Sequence, residues 1–304
     1  MQITVPVGQD FVHRLNRISV EKRAYPWDSS TIDWAVPITD DFLYMPEEYS
    51  LIYGTPHWDR LDFSAKSFIT RYEWTQIMRN AGVGEHMLNM GILSILYHVN
   101  QYDPTWRYLL HEVAEECQHM GMFNEWCRRN QDIKTKGVGG DRWGPFASFW
   151  VPIIARNSPL FFWICVILFE LVGDEVINTK SAEGVDMVHP IVNQIREAHR
   201  LEEARHIAFA KTWIENRVPA LNRVQKKLTV MFTESAISRL LSIGIPLRYS
   251  GQLSPYLSCE EFHACLRSEH RRSTTRTDLT ATIKLFVKLG LVREAVAERW
   301  YQSM

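Results

Sequence analysis

Apolar residues recur at helical spacing over four long stretches of this chain, and convincing strand-like alternation is nearly absent. The first stretch runs over about 64–99 and stops at NQYDP, because proline and the residue before it disfavour a helix interior. The second covers about 105–130 and is followed by a polar, glycine-rich loop, KTKGVGGDRWGP. The third, about 159–180, begins with the very apolar PLFFWICVILFELV. SAEGVDMVH ends it, and Pro190, suited to a helix first turn, opens a fourth that reaches about residue 217. Residues 1–63, rich in Pro, Asp and aromatics, carry little periodicity and predict an extended wrap with short turns and helices. Residues 218–304 predict further helices. The pattern therefore predicts an all-α chain, with a four-helix bundle over about 64–217 and additional N- and C-terminal helices, in a single domain spanning 1–304.

Composition supports a sizeable core: 46% of the 304 residues are hydrophobic, including 11 Trp, 14 Phe and 11 Tyr. A formal net charge of -1, with no long basic block, argues against nucleic acid as a partner. The five cysteines lack any CxxC pairing and are odd in number, which predicts reduced thiols and a cytoplasmic location. The N-terminal stretch has no basic region followed by an apolar one, so no signal peptide is expected. PLFFWICVILFELV is too short for a membrane span, and Arg156, Glu170 and Asp174 crowd its ends; it predicts a buried helix and no membrane partner.

Candidate chemistry lies on the second and fourth predicted helices. Glu116 and His119 form an ExxH unit, and so do Glu203 and His206, 87 residues further on. A separation of three places both side chains on one helix face. Four residues earlier each face carries another donor, Glu112 and His199, so the faces read Glu-Glu-His and His-Glu-His. One ExxH arises often on charged helices; two on separate helices match bundles that hold two metals, which add one Glu from each remaining helix. Carboxylates with imidazoles suit iron, with manganese as the alternative, and the absence of thiolate spacing argues against a zinc finger.

On the first helix the choice is Glu73 or Glu85. Glu85 lies 18 residues before Asp103, and Glu116 and His119 lie 13 and 16 after it, whereas Glu73 lies 30 before. At 1.5 Å per residue Glu73 would sit roughly 20 Å too far along, so Glu85 is selected. On the third helix Glu170 is preferred to Glu175, with Asp174 more distant. Its spacing to Glu203 resembles that of Glu85 to Glu116, and its apolar setting demands pairing or a metal.

At these residues the sequence resembles the para-aminobenzoate N-oxygenase family of di-iron oxygenases. EECQHMGMF (115–123) and HRLEEARHIAFA (199–210) carry the resemblance most strongly, FELVGDE (169–175) more weakly, and it covers about 65–215. A third histidine ligand, four residues before the second ExxH glutamate, sets this family apart from other di-iron bundles, and His199 stands there. The resemblance implies a ferritin-like bundle with metal ligands Glu85, Glu116, His119, Glu170, His199, Glu203 and His206; Glu85 enters mainly on spacing. It further implies two iron ions, O₂ as co-substrate, and oxidation of a small-molecule amine to a hydroxylamine, nitroso or nitro product, in natural-product biosynthesis. An external electron donor or reductase would be a partner, and a homodimer is compatible. The alternatives are a di-iron C–H oxidase or desaturase of a free or carrier-bound acid, and a ferritin-like iron-handling protein.

Other residues receive plainer readings. Glu112 is expected to be solvated or to accept a ligand imidazole N–H rather than bind metal. Glu115 and Glu202 are assigned to polar faces, and Arg205 to an ion pair outside the bundle. His98 and His111 read as ordinary helical histidines. Phe161 to Trp163 reads as core packing, and Met87, Met90, Met120 and Met122 as adaptable core filler.

Overall fold

The computed structural model describes residues 8–21, 31–135, 140–178, 187–243 and 247–302. Among them lie α1 (Gln9–Glu21), α2 (Pro56–Asp59), α3 (Phe63–Leu96), α4 (Pro104–Arg129), α5 (Gly140–Asn157) and α6 (Pro159–Asn178). They are followed by α7 (Pro190–Arg217), α8 (Arg223–Ile243), α9 (Cys259–Cys265), α10 (Glu269–Lys288) and α11 (Glu294–Gln302). The architecture is all-α. The described residues contain no strand, only an isolated parallel bridge between Leu43 and Val188.

Helices α3, α4, α6 and α7 coincide with the four predicted stretches to within a few residues. Their starts have identifiable causes. The Asp62 side chain accepts from the Ala65 amide, and Asp103 accepts from Thr105 ahead of Pro104. At α7 the His189 ring accepts from the Ile191 amide, and Pro190 fills the first helical position. The predicted loop is corrected in part. Helix α5 begins at Gly140, inside KTKGVGGDRWGP, and packs against α3 and α6. Glycine and proline weaken local helix propensity there, but the helix gains contacts with α3 and α6 through a face that buries Ala147 and Ala155, while Phe149, Trp150, Ile153 and Ile154 stay exposed. Residues 136–139 of that loop lie outside the described residues.

The core divides into two apolar clusters along the bundle. One gathers Leu88 and Ile92 of α3, Tyr108 of α4, Trp163 and Ile167 of α6, and Phe209 of α7. The other gathers Ile77 and Met78 of α3, Phe123 and Trp126 of α4, and Ile195 of α7, closed over by the N-terminal segment through Tyr44, Leu51 and Trp58. The predicted metal-site residues occupy the layer between. Phe162 and Trp163 are core residues, as expected, but of the four methionines only Met122 is fully buried.

Close approach of α3 to α6 depends on two glycines. A Cβ at Gly84 would lie 1.8 Å from the Phe169 ring, and one at Gly91 would lie 2.1 Å from Phe162. Gly84 and Phe169 immediately precede Glu85 and Glu170, so this contact sets the distance across which those carboxyls face.

Glu73, the rejected first-helix candidate, serves the fold instead. It is buried, accepts from the Leu51 amide at 3.1 Å, and so pins the N-terminal segment to α3. Burial pushes its pKa from 4.5 up to about 7, opposed by Ser50, the Leu51 amide and Arg271. Raised in the folded state, it contributes stability that is complete below pH 4.5 and is lost as pH rises through 7. The loss is on the order of 3 kcal/mol. Glu73→Gln is therefore expected to flatten stability over this interval and to raise the urea midpoint at pH about 8. An unchanged pH profile would show that Glu73 ionises freely.

Among the described residues, no single helix is long and apolar enough to cross a membrane. Ala147–Asn157 and Pro159–Glu170 reach that length and composition only as a pair bent by 119°.

Candidate metal centre

Four helices each deliver donors to one buried layer. Helix α3 supplies Glu85, α4 supplies Glu116 and His119, α6 supplies Glu170, and α7 supplies His199, Glu203 and His206. The seven form three overlapping groups whose donor atoms lie within 4.8 Å of one another: Glu85, His119, His199 and Glu203; Glu116, Glu203 and His206; and Glu85, Glu116 and Glu170. Glu203 is the hub. Its oxygens stand 3.2 Å from His119 Nδ1, 3.5 Å from His199 Nε2 and 3.3 Å from His206 Nδ1. The side chain of Glu175 lies outside the described residues.

Two further glutamates close the layer around His119 and His206. His119 turns Nδ1 towards Glu116, at 3.0 Å, and Nε2 towards Glu202, at 2.9 Å. His206 turns Nδ1 towards Glu116, at 2.6 Å, and Nε2 towards Glu115, at 2.9 Å. The first glutamate of each EExxH thus holds the histidine of the other helix. Glu115 and Glu202 are only 7% and 9% exposed, so they do not belong to solvated polar faces. Arg205 donates to Glu115 at 2.6 Å and is equally buried, so its ion pair lies within the bundle. The available signal was the doubling of glutamate ahead of both ExxH units.

Glu112 is corrected as well. It is fully buried, and neither oxygen has a hydrogen-bond partner. It is therefore not solvated, and the imidazole acceptors are Glu115 and Glu202. Burial pushes its pKa up to about 8 against the opposing pull of His206.

The electrostatics divide the donors. Desolvation and neighbouring carboxylates raise Glu85 and Glu170 well above the usual carboxyl range. Glu116 falls to about 2 and Glu203 falls well below 4.5; burial acts against this, and His206 with its fellow imidazoles outweighs it. His119 and His206 are raised by their carboxylate partners despite burial, while burial pulls His199 down to about 4. Glu85 and Glu170 thus resist ionisation, Glu116 and Glu203 favour it, and His119 and His206 hold a proton more strongly than His199 does.

Such a donor set fits metal ions. Glu85 Oε2, Glu170 Oε1 and both His199 nitrogens are buried without a hydrogen bond, and Glu116 Oε1, both Glu203 oxygens and His206 Nδ1 meet their ion-pair partners out of hydrogen-bond geometry. Buried polar atoms in such numbers are costly unless something satisfies them. Four carboxylates would balance two divalent ions. Metal must displace the protons of Glu85, Glu170, His119 and His206, so loading should weaken as pH falls. The apparent affinity for Mn²⁺ should therefore fall as pH is lowered. Equilibrium dialysis across pH would show this, and a flat response would refute the protonation pattern. Glu115→Ala and Glu202→Ala each free one imidazole to rotate, and each should weaken metal binding by about 10–100-fold with the helical content unchanged.

An all-α bundle whose buried layer is built from carboxylates and imidazoles has the donors to hold metal ions, in the arrangement of bundles with paired ExxH units. The model of the family described as p-aminobenzoate N-oxygenase AurF matches residues 6–290, and the chain belongs to that family. An uncharacterised protein of Mycobacterium tuberculosis strain H37Rv is 30% identical over 229 residues, covering 70% of this chain and 62% of the relative. Uncharacterised proteins of Mycobacterium bovis and of M. tuberculosis strain CDC 1551 show the same identity and coverage. The chain thus spans 62% of the length of these curated relatives. No solved structure matches it.

Proposed function

We propose that this protein is a di-iron N-oxygenase that uses O₂ to oxidise the nitrogen of a small-molecule amine. Glu85, Glu116, His119, Glu170, His199, Glu203 and His206 hold the two irons in this reading. The supporting observation is the four-donor group of Glu85, His119, His199 and Glu203, in which a third histidine joins the two of the paired ExxH units. His199 is buried, its pKa is lowered by that burial to about 4, and neither ring nitrogen makes a hydrogen bond, so it offers a neutral donor.

When bound, the irons supply oxygen activation and electron storage. The chain's own groups do the rest. Glu115 and Glu202 fix the tautomers of His206 and His119 so that Nδ1 faces inward. The flanking apolar clusters exclude water from the layer, which strengthens every charge interaction within it. Two electrons per turnover come from an external donor or reductase.

The test is direct. Iron-loaded, reduced protein is exposed to ¹⁸O₂ in the presence of a panel of amines, and products are read by mass spectrometry. The expected result is ¹⁸O on nitrogen. Label on carbon alone would favour a C–H oxidase, and protein that takes up neither iron nor manganese would end the oxygenase reading.

A further inference from the structure

A short turn, 218–220, joins α7 to α8, and four cations crowd its two sides. Arg217, Arg223, Lys226 and Lys227 are all exposed, and no ion pair occupies any of them among the described residues. No acidic residue stands between Glu215 and Glu234, and Glu234 is itself paired with Arg293 at 2.6 Å. Lys226 Nζ reaches to 3.5 Å from where a Cβ on Gly290 would stand, so the patch extends to the turn between α10 and α11. Glu294 and Glu298 lie beyond that turn, in a groove they share with Lys284 and Lys288. With a net charge of -1 over the whole chain, this is a local segregation of positive charge.

The same face is apolar at its centre. Val224, Leu228 and Met231 follow one another at helical spacing along α8 and are 68%, 53% and 55% exposed. Lys227, three residues after Val224 and four before Met231, shares their side, while the opposite side buries Thr229, Thr233 and Ile237. An exposed apolar stripe rimmed by charge has the anatomy of a contact surface.

Size decides among occupants. The stripe covers two turns, about 11 Å at 1.5 Å per residue. A stable dimer buries about 800 Å² on each partner, and a membrane-bound helix presents Trp, Phe or Leu along much of its length. Electron-transfer encounters are the small class of interface, and charge steers them. The cationic rim selects an acidic partner.

This surface also has a short path inward. Helix α7 carries both the edge of the patch and the metal-site donors, and Arg217 lies 11 residues beyond His206, a rise of roughly 16 Å. Aromatic rings fill the interval. Trp213, one turn before Arg217, stands 6.3 Å from Trp163, which stands 5.3 Å from Phe209. Phe209 stands 4.7 Å from Tyr108 and three residues from His206. The run of rings divides the distance between patch and metal layer into short gaps.

We propose that Arg217, Arg223, Lys226 and Lys227, with the stripe of Val224, Leu228 and Met231, dock an acidic iron–sulfur carrier protein that delivers the electrons for the reaction. Two reduced carriers each give up one electron, and two ferric ions each gain one and become ferrous. This transfer rests on the N-oxygenase reading; docking does not.

The probe is a plant-type 2Fe–2S ferredoxin, an acidic one-electron carrier. Titrated by calorimetry at low ionic strength, it should bind the full chain whether metal-free or iron-loaded, and salt at about 0.3 M should weaken it about tenfold or more. Arg223→Glu combined with Lys227→Glu should also cost about tenfold or more. Leu228→Ser combined with Met231→Ser should cost about threefold and keep the salt dependence. All four side chains are exposed, so thermal melts should stay near that of the parent. In stopped flow, reduction of the ferric protein by reduced ferredoxin should slow in step with binding in the charge-reversed variant. Dithionite, which needs no docking, should reduce variant and parent alike. Ferredoxin affinities and reduction rates that ignore both variants would overturn the proposal and leave an iron-loaded oxygenase intact. Binding of phosphatidylserine vesicles through the same side chains, without binding of ferredoxin, would overturn it too. Salt-sensitive ferredoxin binding that is lost on charge reversal, in protein that takes up no iron, would sustain the docking face and end the oxygenase reading instead.

Discussion

Replacing Glu203 with alanine is expected to reduce metal content from two ions per chain towards none, with far-UV circular dichroism unchanged. Glu203 touches all three histidines of the layer and belongs to two of the three donor groups. No other carboxyl of the seven contacts all three imidazoles at these distances. Its loss removes a shared ligand and leaves the raised His119 and His206 with less negative charge to hold them. Breaking a buried charge cluster costs about 3–5 kcal/mol, so the apoprotein should also melt at lower temperature. Metal analysis after gel filtration, beside a thermal melt, reads both effects. Two tightly held ions in Glu203→Ala would place the metals elsewhere.

The second large effect concerns the third bundle helix. Glu170→Ala is expected to lose at least one ion per chain, and Glu175→Ala to retain both. Glu170 sits at the end of an apolar run, is buried, and joins Glu85 and Glu116 in a donor group. Its pKa is raised by burial and by Glu203, Glu85 and Glu116, so alanine removes a buried polar group that is costly to ionise as well as a ligand. The expected signature is therefore a pair of opposite changes: weaker metal binding with unchanged or higher apoprotein stability. Retention of both ions in Glu170→Ala, with loss in Glu175→Ala, would transfer the role to Glu175.

Much of this was legible in the sequence for definable reasons. Helices α3, α4, α6 and α7 announce themselves by apolar periodicity closed by proline and asparagine, signals that act locally. Helix α5 does not, because Gly140, Gly144 and Pro145 argue against a helix that packing against α3 and α6 then stabilises. Placement of Glu85 and Glu170 followed from rise per residue, a property of any helical hairpin. Glu115 and Glu202 were misread because periodicity tells which side of its own helix a residue occupies, not which neighbouring helix it meets. Glu112 was misread for the complementary reason. Its 0, 4, 7 spacing with Glu116 and His119 is real, but one turn earlier on α4 its oxygens reach no imidazole by hydrogen bond and lie in the dry region around Tyr108, where His206 acts on them through charge alone.

The exchange of glutamates between α4 and α7 has a consequence in time. Glu115 holds His206, and Glu202 holds His119, so neither helix contains a self-sufficient half-site. During synthesis α4 emerges long before α7, and until α7 docks, His119 lacks the partner that orients it. A nascent or truncated chain ending before α7 offers scattered, mis-aimed donors rather than a weak version of the finished centre. Completion of the donor layer is thereby deferred until α7 has docked.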